Sequence, residues 1–485
     1  MEHRDRDAGR ITDSALSRRH FLGLLGGAAA IGAMPGALRR AMAAAAPAGS
    51  KPNFVFIFTD DQGYADISCF GSTTIKTPCI DKMAAEGMKL TDFYAAPVCT
   101  PSRTSLMTGC YPQRAGMGSP GGKGVCYPGQ HEGLNPSEIT IAKLLKGQGY
   151  ATACIGKWHL GDQPPFLPTS HGFDYYFGIP FSNNMGNMYG LPPLPLMRGD
   201  KVIEENPKQA LLTQRYTEEA IKFIEANQGK PFFVYLPHTM PHNPVAASEK
   251  FRGRTTRGAY GDACEEIDWS TGQILDALKQ HGLDEKTLVM YVSDNGGPGG
   301  VGDNTPLRGN KGSTWEGGIR VCAVARWPGN IPAGTVCKEI ASTMDILPTF
   351  AKMAGAEAPK DRVIDGIDIW PLLAGQAGAK GRETFFYYAG DSLQAVRGGK
   401  WKLVVVERER KQVTRLDTPR LYDLEKDIGE TTDVAAQNPD VVKRLLGPIE
   451  ACREDLGDGN KPGKNCRPVG YYKDAKTLTT KKSKA

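Results

Sequence analysis

Four short stretches of the chain are apolar almost without interruption, and each ends abruptly in polar residues. Residues 53–58 (Asn-Phe-Val-Phe-Ile-Phe) stop at Thr59-Asp60-Asp61, and residues 151–155 run into Gly156-Lys157-Trp158-His159. Residues 232–236 lead to Pro237-His238 and on to Pro241-His242, and residues 288–292 lead to Ser293-Asp294-Asn295. A strand with one wet face alternates apolar and polar positions, so unbroken runs predict parallel strands buried on both faces. Between them the period changes. Over 214–227, Tyr216, Ala220, Phe223 and Ile224 fall on one helical stripe with Gly229 following as a stop, and 262–280 gives another helix. Strands alternating with helices predict an α/β fold with a large, mostly parallel central sheet flanked by helices. In such sheets ligands bind beyond the carboxyl ends of the strands, where all the polar residues just named converge.

After about residue 380 the texture becomes short runs at 384–388, 393–396, 401–406 and 421–424, with Gly398-Gly399 in one of the turns. This predicts a small C-terminal antiparallel sheet. The first 48 residues read as an address: Ser17-Arg18-Arg19-His20-Phe21-Leu22 precedes a weakly apolar Gly/Ala-rich stretch, then alanines around Ala41 to Ala48. The pattern resembles a twin-arginine export signal, which implies the twin-arginine translocase as a partner and a periplasmic or extracellular bacterial location. The competing reading is a membrane anchor, but Phe21 to Met34 falls short of the roughly 20 apolar residues a stable span needs. The expected organisation is therefore 1–48 leader, 49–380 catalytic α/β domain, and 381–485 antiparallel-sheet subdomain and basic tail.

With 485 residues, 40% hydrophobic and 23% charged, the chain can bury one large core and a smaller second one. The net charge of +6 is modest and partly carried by the Lys481-Lys482-Ser483-Lys484 tail and the early arginines, so nucleic acid is not an indicated partner. Eleven cysteines would permit disulfides in an oxidising compartment, with Cys452 and Cys466 the first pair to test; buried free thiols account for the others equally well.

One cysteine stands apart. Cys99-Thr100-Pro101-Ser102-Arg103 has a proline two residues and an arginine four residues after the cysteine, a signal for converting that cysteine to formylglycine. The longer run from Cys99 to Gly109, followed by Tyr111-Pro112 and Arg114, resembles the formylglycine-dependent sulfatases, the arylsulfatase A-like members of the alkaline phosphatase superfamily. The resemblance spans roughly residues 50–430 and implies hydrolysis of sulfate monoesters, aryl or carbohydrate, after maturation by a formylglycine-generating enzyme. A sulfated serine would tend to stall, whereas a hydrated aldehyde has a second hydroxyl whose deprotonation expels sulfate. Pro101 suits the first turn of a helix starting near Cys99, where an anion meets the positive dipole end.

Asp60, Asp61, Asp294 and Asn295 offer oxygen ligands only, without His or Cys beside them, a set suited to a hard dication, calcium before magnesium. Taken singly, an Asp pair after a strand reads as a cap or turn. The resemblance assigns these four residues, with the modified Cys99, to one metal ion. It also places Lys157 and Lys311 on the substrate sulfate, gives Arg103 and His159 the task of orienting the formylglycine hydrate, and makes Asp294 a candidate base. A leaving-group acid is expected at His242, with His238 the competitor, and Ser182 matches a substrate-side serine. Two other readings remain: a phosphonate or phosphodiester hydrolase on the same frame, and a non-catalytic calcium- or glycan-binding homologue.

Overall fold

The computed structural model describes residues 51–187, 190–409 and 412–480. The leader, 1–48, and the lysine tail lie outside the described residues. A ten-stranded sheet runs, edge to edge, through Thr335–Cys337, Met88–Leu90, Ala323–Arg326, Thr287–Ser293, Asn53–Thr59, Phe232–Pro237, Ala151–Ile155, Tyr175–Gly178, Pro195–Arg198 and Lys201–Glu205. The five strands from Thr287–Ser293 to Tyr175–Gly178 are mutually parallel; antiparallel neighbours flank them on both sides.

The unbroken apolar runs have the physical cause expected of them. In Asn53–Thr59 the alternation of side chains sends Phe54, Phe56 and Phe58 into one core and Val55 and Ile57 into the other. Leu288, Met290 and Val292 divide from Val289 and Tyr291 in the same way. Helices cover both faces. Leu212–Ala226 buries Leu212, Tyr216, Ala220 and Ile224, and Gly258–Gln280 adds Ala263, Ile267, Ile274 and Leu278, all in the second core. Ile346–Met353 sets Ile346, Leu347 and Phe350 into the first, where Phe350 stacks on Phe54 with ring centroids 4.1 Å apart.

The C-terminal antiparallel sheet joins Thr384–Ala389, Ser392–Gly398, Trp401–Glu409 and Gln412–Asp423 in order. It shares a core with the larger body: Tyr94, Tyr111, Ile319 and Met344 pack with Phe385, Tyr387 and Leu403. Helix Pro439–Leu456, absent from the sequence reading, buries Leu445, Ile449, Cys452 and Leu456 in that core. Beyond it, the chain straps back across the main body by backbone bonds, Arg467 N to Arg114 O (2.6 Å) and Tyr472 N to His131 O (2.8 Å). The strap ends with Thr479 Oγ1 donating to Pro193 O at 2.5 Å.

All eleven cysteines are free, which corrects the Cys452–Cys466 expectation. The Cys452 thiol meets Tyr388 Oη at 3.2 Å, while Cys466 donates to Leu456 O at 3.2 Å. Packing inside the shared core, in place of a covalent bond, holds this end of the chain. No helix among the described residues is long and apolar enough to cross a membrane.

Candidate active site

Three strand ends and one helix start build the site. The strand Asn53–Thr59 delivers Asp60 and Asp61, the latter in the left-handed region at φ 68°, a conformation that costs a non-glycine residue energy and is found where function fixes it. The neighbouring strand Thr287–Ser293 delivers Asp294 and Asn295 alongside, so that Asp61 N donates to Asp294 Oδ1 at 3.2 Å and Asn295 Nδ2 to Asp61 Oδ1 at 2.8 Å. After Ala151–Ile155 come Lys157 and His159, the latter also left-handed at φ 63°.

Helix Cys99–Thr108 starts with Cys99 itself and closes at Gly109, whose left-handed φ of 68° allows its N–H to reach Ser105 O at 3.0 Å. Pro101 sits in the first turn, where a missing N–H costs no helical bond. All ten residues of this helix are buried.

These elements bring together Asp60, Asp61, Cys99, Arg103, Lys157, Asp294 and Lys311. Arg103 forks onto Asp294 Oδ2 through Nε (3.2 Å) and Nη2 (2.8 Å), and its Nη1 donates to Lys157 O at 2.7 Å. Lys157 pairs with Asp60, and Cys99 Sγ lies 3.3 Å from Asp60 Oδ1. Lys311 reaches Asp61 Oδ1 at 2.6 Å and stands 3.9 Å from Cys99 Sγ. His159 joins from the side: Thr100 Oγ1 donates to His159 O at 2.8 Å, and its Nε2 lies 3.1 Å from Cys126 O.

Burial would raise the Asp60 carboxyl, but Lys157, His242, Arg103 and Lys311 hold it well below the usual carboxylate range. Asp294 goes the other way, pushed up to about 6 by burial and then by the Asp60 charge. Burial, with Asp294 and Asp60, raises the Cys99 thiol, and burial with Lys157 and Arg103 keeps His159 neutral.

Ser182 and His242 close the opposite side. Ser182 Oγ accepts from Lys157 Nζ at 3.1 Å and lies 3.3 Å from His242 Nε2. His242 Nδ1 faces two acceptors, Asn183 Oδ1 (2.9 Å) and Asn243 O (2.7 Å), so that nitrogen carries a proton and Nε2 is turned to Ser182 and, at 3.7 Å, to Asp61 Oδ2. Asn183 is a residue the sequence reading passed over; its place directly after Ser182 was the available signal. His238 lies elsewhere, with Nε2 at 3.3 Å from Ser270 Oγ.

The residues present fit a hard dication. Ligand atoms of Asp60, Asp61, Cys99 and His242 lie within 4.8 Å of one another, and Asn295 Oδ1 is a buried amide oxygen without a partner. His242 brings a nitrogen into a cluster that the sequence had supplied with oxygens and a thiol. Beside Lys311 a cleft of about 580 Å³ opens between Lys123, the turn at residues 310–315 and Gln394, Val404 and Glu407 of the C-terminal sheet.

A parallel sheet whose carboxyl edge carries a cysteine at a helix start, three carboxylates and three cations has the charges to receive an anionic ester. Residues 52–356 match the Sulfatase family and residues 380–469 the C-terminal region of aryl-sulfatase, and the chain belongs to the sulfatase family of sulfuric ester hydrolases. It is 36% identical to steryl-sulfatase of Mus musculus over 84% of this chain and 82% of that protein. Identity to arylsulfatase A of Homo sapiens is 37% over 85% of this chain and 89% of that protein. The PsFucS1 sulfatase from Pseudoalteromonas sp. superimposes with a TM-score of 0.77 at 29% identity, covering 83% of this chain and 90% of that one.

Proposed function

We propose that the protein hydrolyses aryl sulfates or sulfated carbohydrates through a formylglycine made from Cys99, with one calcium ion held by Asp60, Asp61, Asp294, Asn295 and the modified Cys99. The observation that carries this reading is the unpartnered, fully buried Asn295 Oδ1 beside Asp61, next to a cysteine at a helix start. Formylglycine, as its hydrate, supplies two hydroxyls on one carbon, one to attack sulfur and one whose deprotonation lets sulfate go. The dication supplies positive charge to the sulfuryl oxygens, and an all-oxygen set favours calcium over magnesium.

The chain's own residues do the rest. Lys157 and Lys311, paired with Asp60 and Asp61, would be free to hold the ester's sulfuryl oxygens where those carboxylates hold the cation. Arg103 keeps Asp294 aligned through its two-pronged bond, and Asp294 takes the proton of the attacking hydroxyl. His159 donates from Nε2 to Cys126 O, which leaves Nδ1 an unpartnered acceptor for a hydrate hydroxyl. Once both ring nitrogens carry protons, with Nδ1–H held by Asn183 and Asn243, His242 passes the Nε2 proton to the departing ester oxygen, with Ser182 beside it on the substrate side. The leaving group extends into the 580 Å³ cleft, which residues 49–380 and 381–485 build jointly.

Residues 1–48 would direct export through the twin-arginine translocase to the periplasm or beyond, and a formylglycine-generating enzyme would act on Cys99. The test is a peptide mass across Cys99 from natively exported protein, joined to turnover of an aryl sulfate with and without a calcium chelator. Loss of one thiol's sulfur in exchange for an aldehyde oxygen, and turnover that stops with chelator and returns with Ca²⁺, are expected. An unaltered thiol in fully active protein would refute the proposal.

A further inference from the structure

Lys311 sits on a turn braced from two sides. Gly309 and Gly312 both lie in the left-handed region, at φ 81° and 86°, and the turn closes through the Asn310–Ser313 bonds at its tip and Gly317 N to Arg308 O (2.7 Å) at its base. Two backbone bonds tie it to the site, Lys311 N to Gly297 O (3.1 Å) and Gly312 N to Pro97 O (2.9 Å). Asn304 Nδ2 also donates to Gly309 O at 3.3 Å and Gly296 N to Gly318 O at 3.1 Å, and further supports come from the C-terminal region.

Lys402, fully buried in the strand Trp401–Glu409, donates to Thr314 O at 2.7 Å and pairs with Glu316 Oε1 at 3.1 Å and Glu430 Oε1 at 2.6 Å. Glu430 in turn accepts from Glu316 N at 2.8 Å, and its own carbonyl accepts from Arg308 Nη1 at 2.8 Å. The Arg308 guanidinium lies 3.6 Å over the Trp315 ring, and Thr314 Oγ1 donates to Gln394 Oε1 at 2.6 Å. Glu430 is itself held left-handed at φ 51° and fully buried, a conformation a glutamate keeps only where its surroundings impose it. A buried lysine committed to two buried carboxylates is a poor source of stability. It is a good way to fix one register, because each charge must meet its partner or stand unpaired in the interior.

We infer that Lys402 and Glu430 are positioning residues for the sulfatase reaction: they clamp the 309–318 turn from the C-terminal region and so set the reach of Lys311 to the sulfate. The inference rests on the reading of Lys311 given above. It makes the C-terminal sheet part of the catalytic apparatus although none of its residues touches Cys99, Asp60 or Asp61.

The experiment is a double-mutant cycle. Lys402→Met and Glu430→Gln, each alone and combined with Lys311→Ala, are assayed on one aryl sulfate with protein matched to wild type in Cys99 maturation and folded fraction. Lys402→Met lowers kcat/KM about a hundredfold, the scale of a misplaced charge, with Glu430→Gln acting in the same direction. Neither lowers it further once Lys311 is alanine, because the group they place is gone. Unchanged kcat/KM, or losses that multiply with that of Lys311→Ala, overturn the inference and leave the clamp a stabilising feature only. Should Lys402→Met fail to fold, Glu430→Gln decides alone, since an amide of the same shape still meets the Glu316 N–H. A Lys311→Ala enzyme as active as wild type would refute the role of Lys311 itself, a failure the cycle separates from the others.

Discussion

At the carboxyl ends of the central strands, Asp60, Asp61 and Asp294 face Arg103, Lys157 and Lys311; where the C-terminal sheet meets the main body, Asp92, Glu316 and Glu430 face Arg320, Arg397 and Lys402. Both groups bury three carboxylates against three cations. They differ in what else is satisfied. In the second group hydroxyls complete Glu316, Tyr94 Oη donating to Oε2 at 2.6 Å and Tyr387 Oη to Oε1 at 2.8 Å, and Glu430 Oε1, without an aligned hydrogen bond, keeps its charge partner in Lys402 Nζ at 2.6 Å. In the first, Asn295 Oδ1 and His159 Nδ1 are left without partners, and the Lys311 side chain is 22% exposed at the mouth of a cleft. A matched network specifies one arrangement, whereas a network with spare acceptors at an opening can trade partners with an incoming anion. Charge composition therefore does not separate the two clusters; spare neutral acceptors beside an opening do.

The sharpest way to break the comparison is Cys99→Ser. At the strand-end cluster this exchange leaves every ion pair in place and removes only the residue from which the proposed nucleophile is made. Turnover of an aryl sulfate should fall by about 10⁶-fold in kcat, the scale of losing a covalent nucleophile, while the thermal unfolding midpoint stays with wild type. A serine variant that cycles at wild-type speed would show that the sulfur's conversion is not needed.

The two clusters were also unequally legible from the sequence. Apolar runs of strand length ending in Asp60-Asp61, Lys157 and Asp294-Asn295 announced strand ends at one sheet edge, because period and polarity are local properties. Lys402 announced nothing. In the run Trp401-Lys402-Leu403 it occupies what reads as the wet face of an antiparallel strand, and only the long-range meeting with Glu316 and Glu430 buries it. The helix Pro439–Leu456 carries a visible stripe at Leu445, Ile449, Cys452 and Leu456, but Pro448 interrupts the pattern in mid-helix. The strap beyond it is held through backbone groups such as Tyr472 N, which leave no trace in side-chain pattern.

His242 sharpens the contrast within the catalytic cluster itself. In its proposed role as the acid it matters most when the leaving oxygen is a poor one, so His242→Ala should cost about 10²–10⁴-fold in kcat on an alkyl or sugar sulfate and far less on p-nitrophenyl sulfate. Equal losses on both esters would remove it from that role. Arg397→Met tests the other cluster in a different currency. It takes the guanidinium from Asp92 Oδ1, 2.7 Å away, and from Tyr94, and leaves Asp92 with Arg320 alone, 2.8 Å from its Oδ2. A loss of about 1–3 kcal/mol in urea unfolding is expected, the cost of a buried acceptor left without its donor, and a midpoint unchanged from wild type would mean that the network is not a stabilising one.

The smallest effect is a pH dependence of the cluster around Glu316. Burial pushes the Glu316 carboxyl up, but Lys402, then Arg320 and Arg397, bring it down to about 2 from an ordinary 4.5. Between those values the unfolded chain carries a proton on Glu316 that the native chain does not, so stability rises with pH through the window and is lost as pH falls from 4.5 towards 2. Glu430 works against this: burial, with the Glu316 charge, raises its carboxyl despite Lys402, and a raised acid contributes the opposite slope. The Glu316 contribution is isolated by comparison with Glu316→Gln, which has no proton to exchange there. Urea midpoints taken between about pH 5 and 3 should fall for wild type and fall less steeply for the variant. Parallel slopes would place the acid sensitivity in other carboxylates and would leave Glu316 a hydrogen-bond acceptor whose charge contributes nothing.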